Sequence, residues 1–504
     1  MSSTPNYDAE FCGKVPLHVI NTIQPYGALL VLDRSSLTVI QVSENVEGIF
    51  GVAAPALTRT FIGDYLDAEA LAFLQQLAVG MPTDKIPSVW TVQARQFPAL
   101  IHVREKYILV ETESTPYREE DQHSFVSIYQ KIKYSMALIE AAATTEEVCS
   151  AAARELKKVS GFDKVMIYSF DEEWNGTVIA EEKRADMESF LGYTFPASDI
   201  PRQARDLYLR NPYRFIPDRT YQPVRLYPVM NPQTRAFTDL SDCNVRGVAA
   251  VHLEYLANMD VTASMSTRIL SNDRLWGLIA CHHKTAMPFS FELCAIFELL
   301  SHTISARIFS LHNKEKHETV TRLQDSYTRI IEQVCEKEDA PEGLFESDQT
   351  ALSLFGAAGA LYVRGREWYT SGVLPEKDKV EELLLWLQSR RLTRNFSSEQ
   401  LSAEFDEAGS YNDMASGLLA IPVNTGKNEY LLFFRPEVEK IIDWGGNPDG
   451  RIVFEKDEKN YHPRNSFKQW RQIVKGSSLP WKEEQLAVAE ILRSFLYEHS
   501  NKQA

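Results

Sequence analysis

A long helical pattern in the middle of the chain most constrains the fold. It is predicted to begin near Phe291 and to run to about Cys335. Apolar residues step by three and four along its second half, at Val320, Leu323, Tyr327, Ile330 and Val334. This spacing is typical of a coiled-coil seam, although the charged run 314–318 interrupts it. One interpretation is a surface helix packed on its own domain. We favour a connector that joins two domains and supports a homodimer.

The chain length and composition indicate several globular domains. With 504 residues, 44% of them hydrophobic, we expect about three domains. The formal net charge of −16 argues against binding to nucleic acid or to an anionic membrane, because both need a basic surface. No apolar run is long enough to cross a bilayer, and residues 1–10 lack the features of a secretory signal. We therefore expect a cytoplasmic protein.

Six cysteines are scattered along the chain without a C-x-x-C pair. This argues against a zinc site and against a disulfide framework, and we expect no metal. Five of the cysteines are most simply small core residues. Cys12 differs because it lies in a polar leader, where a thiol stays accessible to an electrophile. On its own, such a cysteine is usually incidental.

Strand-like and helix-like segments alternate along the chain and predict an α+β fold class. In the first region, residues 1–128, a leader precedes strands at 28–33, 38–42, 101–104 and 107–111 and a helix at 67–77. In the second region, residues 129–310, a capping box at 144–147 begins a helix that runs through Val159. Strands are predicted there at 164–170, 176–181, 247–253, 266–270 and 274–280.

The third region, residues 311–480, has strand patterns at 358–363, 418–423 and 430–435. A last helix is predicted over 481–504, because Pro480 is followed by Glu483 and Glu484 in the first turn. A proline-rich stretch at 212–232 has no regular pattern. A loop of that length inside a compact domain is usually functional or disordered.

Residues 195–208 read Phe-Pro-Ala-Ser-Asp-Ile-Pro-Arg-Gln-Ala-Arg-Asp-Leu-Tyr. Locally they predict a turn at 198–199 and a short helix that Pro201 begins, which is an ordinary helix start. The full string, however, resembles the pocket signature of phytochromes, red-light sensors that carry a linear tetrapyrrole. Three further motifs share this resemblance: Cys12 in its leader, Ile-Gln-Pro-Tyr-Gly at 23–27, and Trp-Gly-Gly-Asn-Pro at 444–448 with Pro-Arg-Asn-Ser-Phe at 463–467.

The resemblance covers almost the whole chain and implies three mixed domains with antiparallel sheets, in the order PAS, GAF and GAF-like PHY, joined by long helices. It implies that the leader passes through the proline-rich loop and forms a knot, an arrangement that is rare among folds. It also implies a PHY hairpin at about 430–475, called the tongue, that reaches back to the pocket. A glycine-rich surface loop is the alternative interpretation of residues 440–467.

The implied pigment is biliverdin IXα, linked by a thioether to Cys12. Plant and cyanobacterial relatives instead use a cysteine directly before a pocket histidine. Here that histidine corresponds to His252 and is preceded by Val251, so the alternative attachment point is absent.

A protonated bilin brings a cation, N–H donors and two propionates into a dry cavity, so partners for all of them must converge there. By resemblance, the Asp199 carbonyl and a water near His252 accept from the pyrrole N–H groups, and His282 bonds the D-ring carbonyl. The other implied pocket residues are Met166, Tyr168, Phe190, Phe195, Ile200, Pro201, Tyr208, Arg214, Arg246, Tyr255, Ser264 and Ser266. Of these, Arg214 and Arg246 match propionate-binding arginines, with help from Tyr208, Ser264 and Ser266. By pattern alone, the arginines are surface charges and the aromatics are core residues.

The resemblance implies that light isomerises the pigment and rearranges a latch between the tongue and the pocket. Arg464 would pair with Asp199 in the dark, with Ser466 and Trp444 beside it. Refolding of the tongue would then act through long helices on a C-terminal output domain, a diguanylate cyclase or a histidine kinase, that this chain does not contain.

An enzyme and a small-molecule sensor are the two alternative functions. No P-loop, nucleophile elbow or kinase motif is present in the sequence, so we expect that this chain is not itself an enzyme. The remaining alternative is a GAF-based sensor of a small molecule such as haem or a cyclic nucleotide. Cys12 and the tongue motif argue against it.

Overall fold

The computed structural model describes residues 17–80, 82, 84–116, 125–288, 291–346, 350–448, 452–454, 461–463 and 466–502. The chain forms two compact units. The first runs up to Leu311 and includes Asp443–Trp470, and the second comprises His312–Ile442 and the residues from Arg471 onward. Cys12 and Arg464, two residues of the expected site, lie outside the described residues.

An antiparallel sheet forms the N-terminal part of the first unit. Its strands follow the alternating apolar runs of the sequence. They are β1 (Thr22–Ile23), β2 (Gly27–Asp33), β3 (Val39–Ser43), β4 (Ile86–Val92), β5 (Arg95–Val103) and β6 (Tyr107–Glu113). Asp33 closes the β2–β3 turn, because its carboxylate accepts the backbone N–H groups of Ser35 and Ser36 at 2.9 and 2.8 Å.

Three helices cover one face of this sheet: α1 (Glu47–Phe50), α2 (Ala54–Leu57) and α3 (Ala68–Val79). The predicted start of α3 is confirmed, since the Asp67 carboxylate caps it by accepting from the Ala70 backbone N–H at 2.8 Å. Trp90 and Phe97 are fully buried in the core between sheet and helices.

A second antiparallel sheet with flanking helices follows. The elements along this part of the chain are α4 (Phe125–Ala141), α5 (Thr145–Ser160), β7 (Lys164–Phe170), β8 (Gly176–Lys183), β9 (Thr194–Phe195), α6 (Arg202–Arg210), β10 (Tyr213–Ile216), β11 (Val224–Tyr227), α7 (Ala250–Asn258), β12 (Ala263–Ser271) and β13 (Arg274–His283). Of the strands, β11 belongs to the N-terminal sheet. The sheet order is β10-β12-β13-β7-β8-β9. The capping box is confirmed at α5, where Thr144 accepts from the Glu147 N–H at 3.2 Å and the Glu147 carboxylate accepts from the Ala143 N–H at 2.7 Å.

One face of this sheet packs on the long helix α8, which spans Phe291–Lys337 as the sequence predicted. Phe297, Leu300 and Ile304 of α8 are buried against residues such as Ile279. Part of α8 is long and apolar enough to cross a membrane by length and composition alone. Within that part of the helix, Phe297, Leu300 and Ile304 are buried in the protein core. The opposite face of the sheet is turned towards α6 and α7.

The prediction of a strand at 247–253 was wrong. The segment leads into α7, which begins at Ala250 after Ala249 in extended conformation. Leu253 and Leu256 pack into a small cluster on one side of this helix. A short apolar run cannot be assigned to helix or strand by periodicity alone, and this one contains strong helix formers such as alanine and leucine.

The leader and the proline-rich loop are paired with each other. β1 is antiparallel to β11, and two isolated bridges join Val19 to Asp239 and Ile23 to Arg246. β11 in turn pairs with β3 and so completes the N-terminal sheet. The pairing ties residues 19–23 to both ends of the 224–246 segment. Threading of the leader through the loop stays a prediction.

The second unit is a five-stranded antiparallel sheet, ordered β15-β14-β18-β17-β16, with a core on each face. Its elements are α9 (Ala340–Phe345), α10 (Ala351–Phe355), β14 (Gly359–Arg364), β15 (Glu367–Gly372), α11 (Lys377–Ser389), β16 (Phe396–Ser398), α12 (Leu401–Glu404), α13 (Asn412–Ala415), β17 (Gly417–Asn424), β18 (Glu429–Arg435) and α14 (Glu483–Lys502). The final helix therefore begins three residues after Pro480.

Between β18 and α14 the chain forms four further strands: β19 (Lys440–Gly445), β20 (Ile452–Phe454), β21 (Tyr461–Pro463) and β22 (Gln469–Val474). β20 and β21 pair as an antiparallel hairpin. Trp444 of β19 pairs with Thr194 of β9 in parallel. This extension lies within residues 430–475, for which the resemblance implied a tongue.

Candidate functional site

A cavity of about 260 Å³ lies between the sheet and helices α6 and α7. Every expected pocket residue that the structure describes lines it: Met166, Tyr168, Phe190, Phe195, Asp199, Ile200, Pro201, Tyr208, Arg214, Arg246, His252, Tyr255, Ser264, Ser266 and His282. The string 195–208 and the scattered histidines, arginines and serines thus meet in one place. Trp444 and Ser466 do not line the cavity.

Strand periodicity explains how the sheet supplies its share of these residues. Side chains two apart on a strand point to the same face. Met166 and Tyr168 on β7 therefore face the same side. On β13 the neighbours of this pair are Ala280 and Leu278, and Ser264 on β12 is opposite His282. On α7, His252 and Tyr255 are three residues apart and share one side of the helix.

Two arginines create a strongly cationic region in the cavity. Arg214 donates to the backbone carbonyls of Arg246 and Gly247 at 3.3 and 2.9 Å. Arg246 is only 6% exposed, and its Nε and Nη1 have no hydrogen-bond partner among the described residues. Burial and the neighbouring Arg214 charge lower the pKa of Arg246 to about 9. Such a buried and unpaired guanidinium favours binding of an anion, most directly a carboxylate.

Two histidines face the same cavity and are held neutral. Burial, together with the charge of Arg214, lowers the pKa of His252 to about 4. Burial lowers the pKa of His282 to about 3, with added effects of Lys164 and His252. A neutral imidazole offers one N–H donor and one acceptor. Each ring can therefore donate to an oxygen or accept from an N–H group of a ligand.

The Asp199 turn is held from two directions. The Arg205 guanidinium donates to the carbonyls of Ile200 and Ala197 at 2.7 and 3.4 Å, on either side of Asp199. The Tyr255 hydroxyl donates to the Asp199 carboxylate at 2.9 Å. Arg205 lies within residues 195–208, but no local pattern indicated a role for it.

Aromatic rings of Tyr168, Phe190 and Phe195 form one end of the cavity, the aromatic end. The Phe195 ring is 6.0 Å from that of Tyr168 and 5.8 Å from that of Phe190, between ring centroids. Gly176 makes room for this cluster, since a Cβ there would overlap the Tyr168 ring. Most of the wall is therefore apolar, which suits the faces of a large conjugated ligand.

The extension at 443–470 closes against this aromatic end. Phe467 is 6% exposed and packs edge-on against Tyr255, with the ring centroids 5.1 Å apart. Trp444 is also buried, whereas Ser466 is exposed. A Cβ at Gly445 would lie 2.7 Å from the Phe195 ring. Phe467 was missed as a site residue, although the motif Pro-Arg-Asn-Ser-Phe had drawn attention to the segment.

Comparisons with known proteins place this architecture in one family. The model of the phytochrome region matches residues 322–504, the PAS fold model matches 12–115 and the GAF domain model matches 144–308. A bacteriophytochrome of Xanthomonas campestris is 31% identical and covers 98% of this chain, which spans 79% of that protein. The chain belongs to the phytochrome family. Members of this family bind a linear tetrapyrrole.

Other relatives support the same assignment. Cyanobacterial phytochrome B of Nostoc is 35% identical over 97% of the chain. The chain spans between 63% and 65% of the length of three cyanobacterial relatives. The crystal structure of a bacteriophytochrome from the photosynthetic bacterium R. palustris superposes with a TM-score of 0.84 at 32% identity, covering 98% of this chain and 99% of that one. The photosensory core of a Stigmatella aurantiaca phytochrome gives a TM-score of 0.81 at 31% identity, covering 98% of each chain.

The cavity fits a linear tetrapyrrole. Such a molecule carries two propionate groups, and two nitrogens of Arg246, Nε and Nη1, have no hydrogen-bond partner among the described residues. The ring faces need apolar walls, which Tyr168, Phe195 and their neighbours supply. Its polar ring atoms need donors and acceptors, which the two neutral imidazoles can provide.

Proposed function

We propose that this chain is the light-sensing module of a red/far-red photoreceptor, and that it binds biliverdin IXα in the GAF-domain cavity through a thioether to Cys12. The observation that carries the proposal is the Arg246 guanidinium. It lies nearly buried beside a second arginine and has no partner for two of its nitrogens among the described residues. A dicarboxylate ligand removes this electrostatic cost.

In this proposal, Arg214 and Arg246 hold the propionates, and Tyr208, Ser264 and Ser266 add hydroxyl contacts. The Asp199 carbonyl and a water near His252 accept hydrogen bonds from the pyrrole N–H groups. His282 donates to the D-ring carbonyl. These groups are all present at the cavity wall, and their spread over the strands β10, β12 and β13 and the helices α6 and α7 would fix the ligand in one orientation.

Attachment to Cys12 is supported by chain reach and by elimination. Leu17 lines the cavity, and the five residues from Leu17 back to Cys12 span at most about 18 Å. Val251 precedes His252, so the other attachment point known in the family is missing. Four other cysteines are buried, and burial raises the thiol pKa of Cys243, Cys281 and Cys294, which disfavours the reactive thiolate.

The tetrapyrrole would supply light absorption and a double bond that isomerises. The protein would respond at the aromatic end, where Tyr168 and Tyr255 lie next to Phe467. Movement of Tyr255 would change its bond to Asp199, the expected partner of Arg464. The expected latch also includes Ser466 and Trp444. Tongue refolding would then be passed along α8 and α14.

The remaining proposals concern the whole protein. We infer a cytoplasmic homodimer that associates through GAF and PHY helices, followed by an output domain, either a diguanylate cyclase or a histidine kinase. The alternative of a haem or cyclic-nucleotide sensor is not favoured, because the chain matches phytochromes along nearly its full length.

The test is to mix the purified apoprotein with biliverdin and to irradiate the product. We expect a red-absorbing complex that red light converts to a far-red-absorbing form, and a zinc-fluorescent band after denaturation. A spectrum unchanged by red and by far-red light would contradict the photoreceptor function. Light-responsive binding without a fluorescent band would contradict only the thioether.

A further inference from the structure

A buried charge cluster lies behind the aromatic end of the cavity. The side chains of Lys164 and Glu181 are 2% and 3% exposed, and Lys164 Nζ is 3.3 Å from Glu181 Oε1. The same ammonium donates to the Glu188 carbonyl at 2.6 Å. It also lies 3.6 Å from the centroid of the Phe190 ring, in cation–π geometry. Lys164 itself does not line the cavity.

Glu181 organises the loop that carries Phe190. Its carboxylate accepts from the Phe190 backbone N–H at 2.9 Å and from the Ser189 hydroxyl at 2.5 Å. Lys164 and Glu181 together therefore bind the backbone of residues 188 and 190 and one face of the Phe190 ring. Phe190 lines the cavity, so the ion pair supports a wall residue from behind.

The strand register also brings Lys164 next to His282. The two residues are direct partners in the β7–β13 pairing, and directly opposite side chains lie on one face of the sheet. Among the described residues, Lys164 on β7 and His252 on α7 are the titratable groups that act on His282. Both add to the effect of burial and lower the pKa of His282 to about 3.

We propose that Lys164 is a positioning residue of the pigment pocket, which fixes the Phe190 ring and sets the electrostatic environment of His282. The role in the pigment pocket rests on the proposed function, whereas the effect of Lys164 on His282 can be measured without pigment. A purely structural ion pair would hold the 188–190 loop and leave His282 and the pigment spectrum unaffected. Removing the charge of Lys164 separates these two roles.

The variants are chosen to keep the fold. Lys164→Met alone leaves the buried Glu181 carboxylate without its cation, which is strongly destabilising in general. The double variant Lys164→Met/Glu181→Gln removes both charges and keeps an oxygen acceptor for Phe190 and Ser189. Lys164→Arg restores the charge. Lys183→Met is the matched control, because Lys183 is directly opposite Lys164 on β8 and its ammonium donates to the Arg184 carbonyl at 3.4 Å rather than to the 188–190 loop.

The first readout needs no pigment. In the full-length apoprotein with isotope-labelled histidine, the His282 signal is identified by its loss in His282→Gln and followed against pH. We expect the double variant to raise the pKa of His282 by about one unit or more. Lys164→Arg and Lys183→Met should leave it near the wild-type value. An unchanged pKa in the double variant would overturn the electrostatic part of the proposal.

The second readout uses biliverdin-loaded protein. We expect the double variant to load pigment fully, to shift the red absorption band and to change the rate of dark reversion several-fold, with recovery in Lys164→Arg. Phe190→Leu should give effects that do not add to those of the double variant, because both act on the same ring. Additive effects, or a wild-type spectrum and rate, would overturn the positioning role. Failure of wild-type protein to load biliverdin would contradict the proposed function and leave the apoprotein result standing.

Discussion

The Tyr255 hydroxyl donates a 2.9 Å hydrogen bond to the Asp199 carboxylate, and the Tyr255 ring packs edge-on against Phe467 with the ring centroids 5.1 Å apart. One side chain of the first unit therefore contacts the cavity, the Asp199 turn and the Phe467 side chain of the extension. A change at the cavity can therefore reach the extension through this tyrosine. We expect Tyr255 to control how well the two regions communicate.

Tyr255→Phe tests this connection. The variant keeps the ring and its contact with Phe467 but loses the hydrogen bond to Asp199. We expect normal biliverdin loading, with dark reversion changed about tenfold, since a hydrogen bond to a charged group contributes roughly 1.5–3 kcal/mol. Absorption spectra recorded after red illumination measure the rate. Tyr193→Phe is the control, because Tyr193 packs near the same cluster without lining the cavity. A Tyr255→Phe rate equal to that of wild type would refute this role.

Arg246→Met should separate ligand binding from protein stability. Two nitrogens of the guanidinium have no partner in the described structure, so its loss removes a poorly compensated buried charge from the apoprotein. We expect unchanged or higher thermal stability without pigment, and biliverdin affinity lower by about tenfold to a hundredfold. Calorimetry and pigment titration measure the two quantities. Arg210→Met, at an arginine whose side chain is 58% exposed, should change neither. Apoprotein that is strongly destabilised by Arg246→Met would show that this arginine is needed for folding.

The two cavity histidines predict that the apoprotein loses stability in acid. Their pKa values are about 4 for His252 and about 3 for His282, both below the ordinary value of 6.5. The unfolded chain therefore binds more protons than the folded one at pH values between 6.5 and these pKa values. Their stabilising contribution is complete above pH 6.5 and is lost progressively as the pH falls towards 4 and then 3.

Denaturant unfolding of the apoprotein at pH 7 and pH 5 measures this loss. His252→Gln should reduce the difference between the two pH values, by up to about 1.4 kcal/mol for each pH unit below 6.5. His302→Gln is a suitable control, since His302 lies on α8 outside the cavity. An equal pH dependence in wild type and His252→Gln would show that His252 is not held neutral.

Cys12→Ser should abolish the zinc-fluorescent band while non-covalent binding persists, because the cavity contacts remain. Cys335→Ser is the matched control, as Cys335 is the exposed cysteine among the described ones. Absorption before denaturation and fluorescence after it distinguish the two kinds of binding. Full covalent loading of Cys12→Ser would mean that another thiol is the attachment point.

Phe467→Ala should loosen the extension from the cavity. Phe467 is buried against Tyr255, and truncating a buried phenylalanine generally costs about 3–5 kcal/mol. Hydrogen exchange of residues 443–470 should be faster in the dark state, with the second-unit sheet unaffected. Trp470→Ala, at a residue that is 36% exposed, provides the comparison. Unchanged exchange in Phe467→Ala would show that other contacts hold the segment.

Much of the pocket was predictable because its residues lie in motifs of unusual composition. The string 195–208 could be recognised without knowing its neighbours in space, whereas His282 was assigned by resemblance. Arg214 and Arg246 could be matched only by resemblance, since an isolated arginine has no pattern. The structure adds what matching could not supply, namely that Nε and Nη1 of Arg246 find no partner within the described part of the chain.

The errors and omissions have physical causes. Residues 247–253 were assigned to a strand because a short apolar run has no decisive period, whereas the fold places them at the start of α7. Lys164 was missed because a lysine at the first position of a strand is normally solvated. Only the register of β7 with β13, and the return of the 188–190 loop, bury it. Long-range pairing of this kind leaves no local signal in the sequence.

The main chain of Arg246 contacts the N-terminal segment of the chain. Its backbone bridges Ile23, and its carbonyl accepts from the Gln24 side chain at 3.3 Å, while its guanidinium faces the cavity. A carboxylate bound by the Arg246 guanidinium would therefore also stabilise the contacts between the Arg246 backbone and the N-terminal segment that carries the Cys12 thiol. If the proposed thioether forms, pigment uptake and attachment would be successive steps of one assembly, in which docking of the pigment precedes the reaction of the Cys12 thiol.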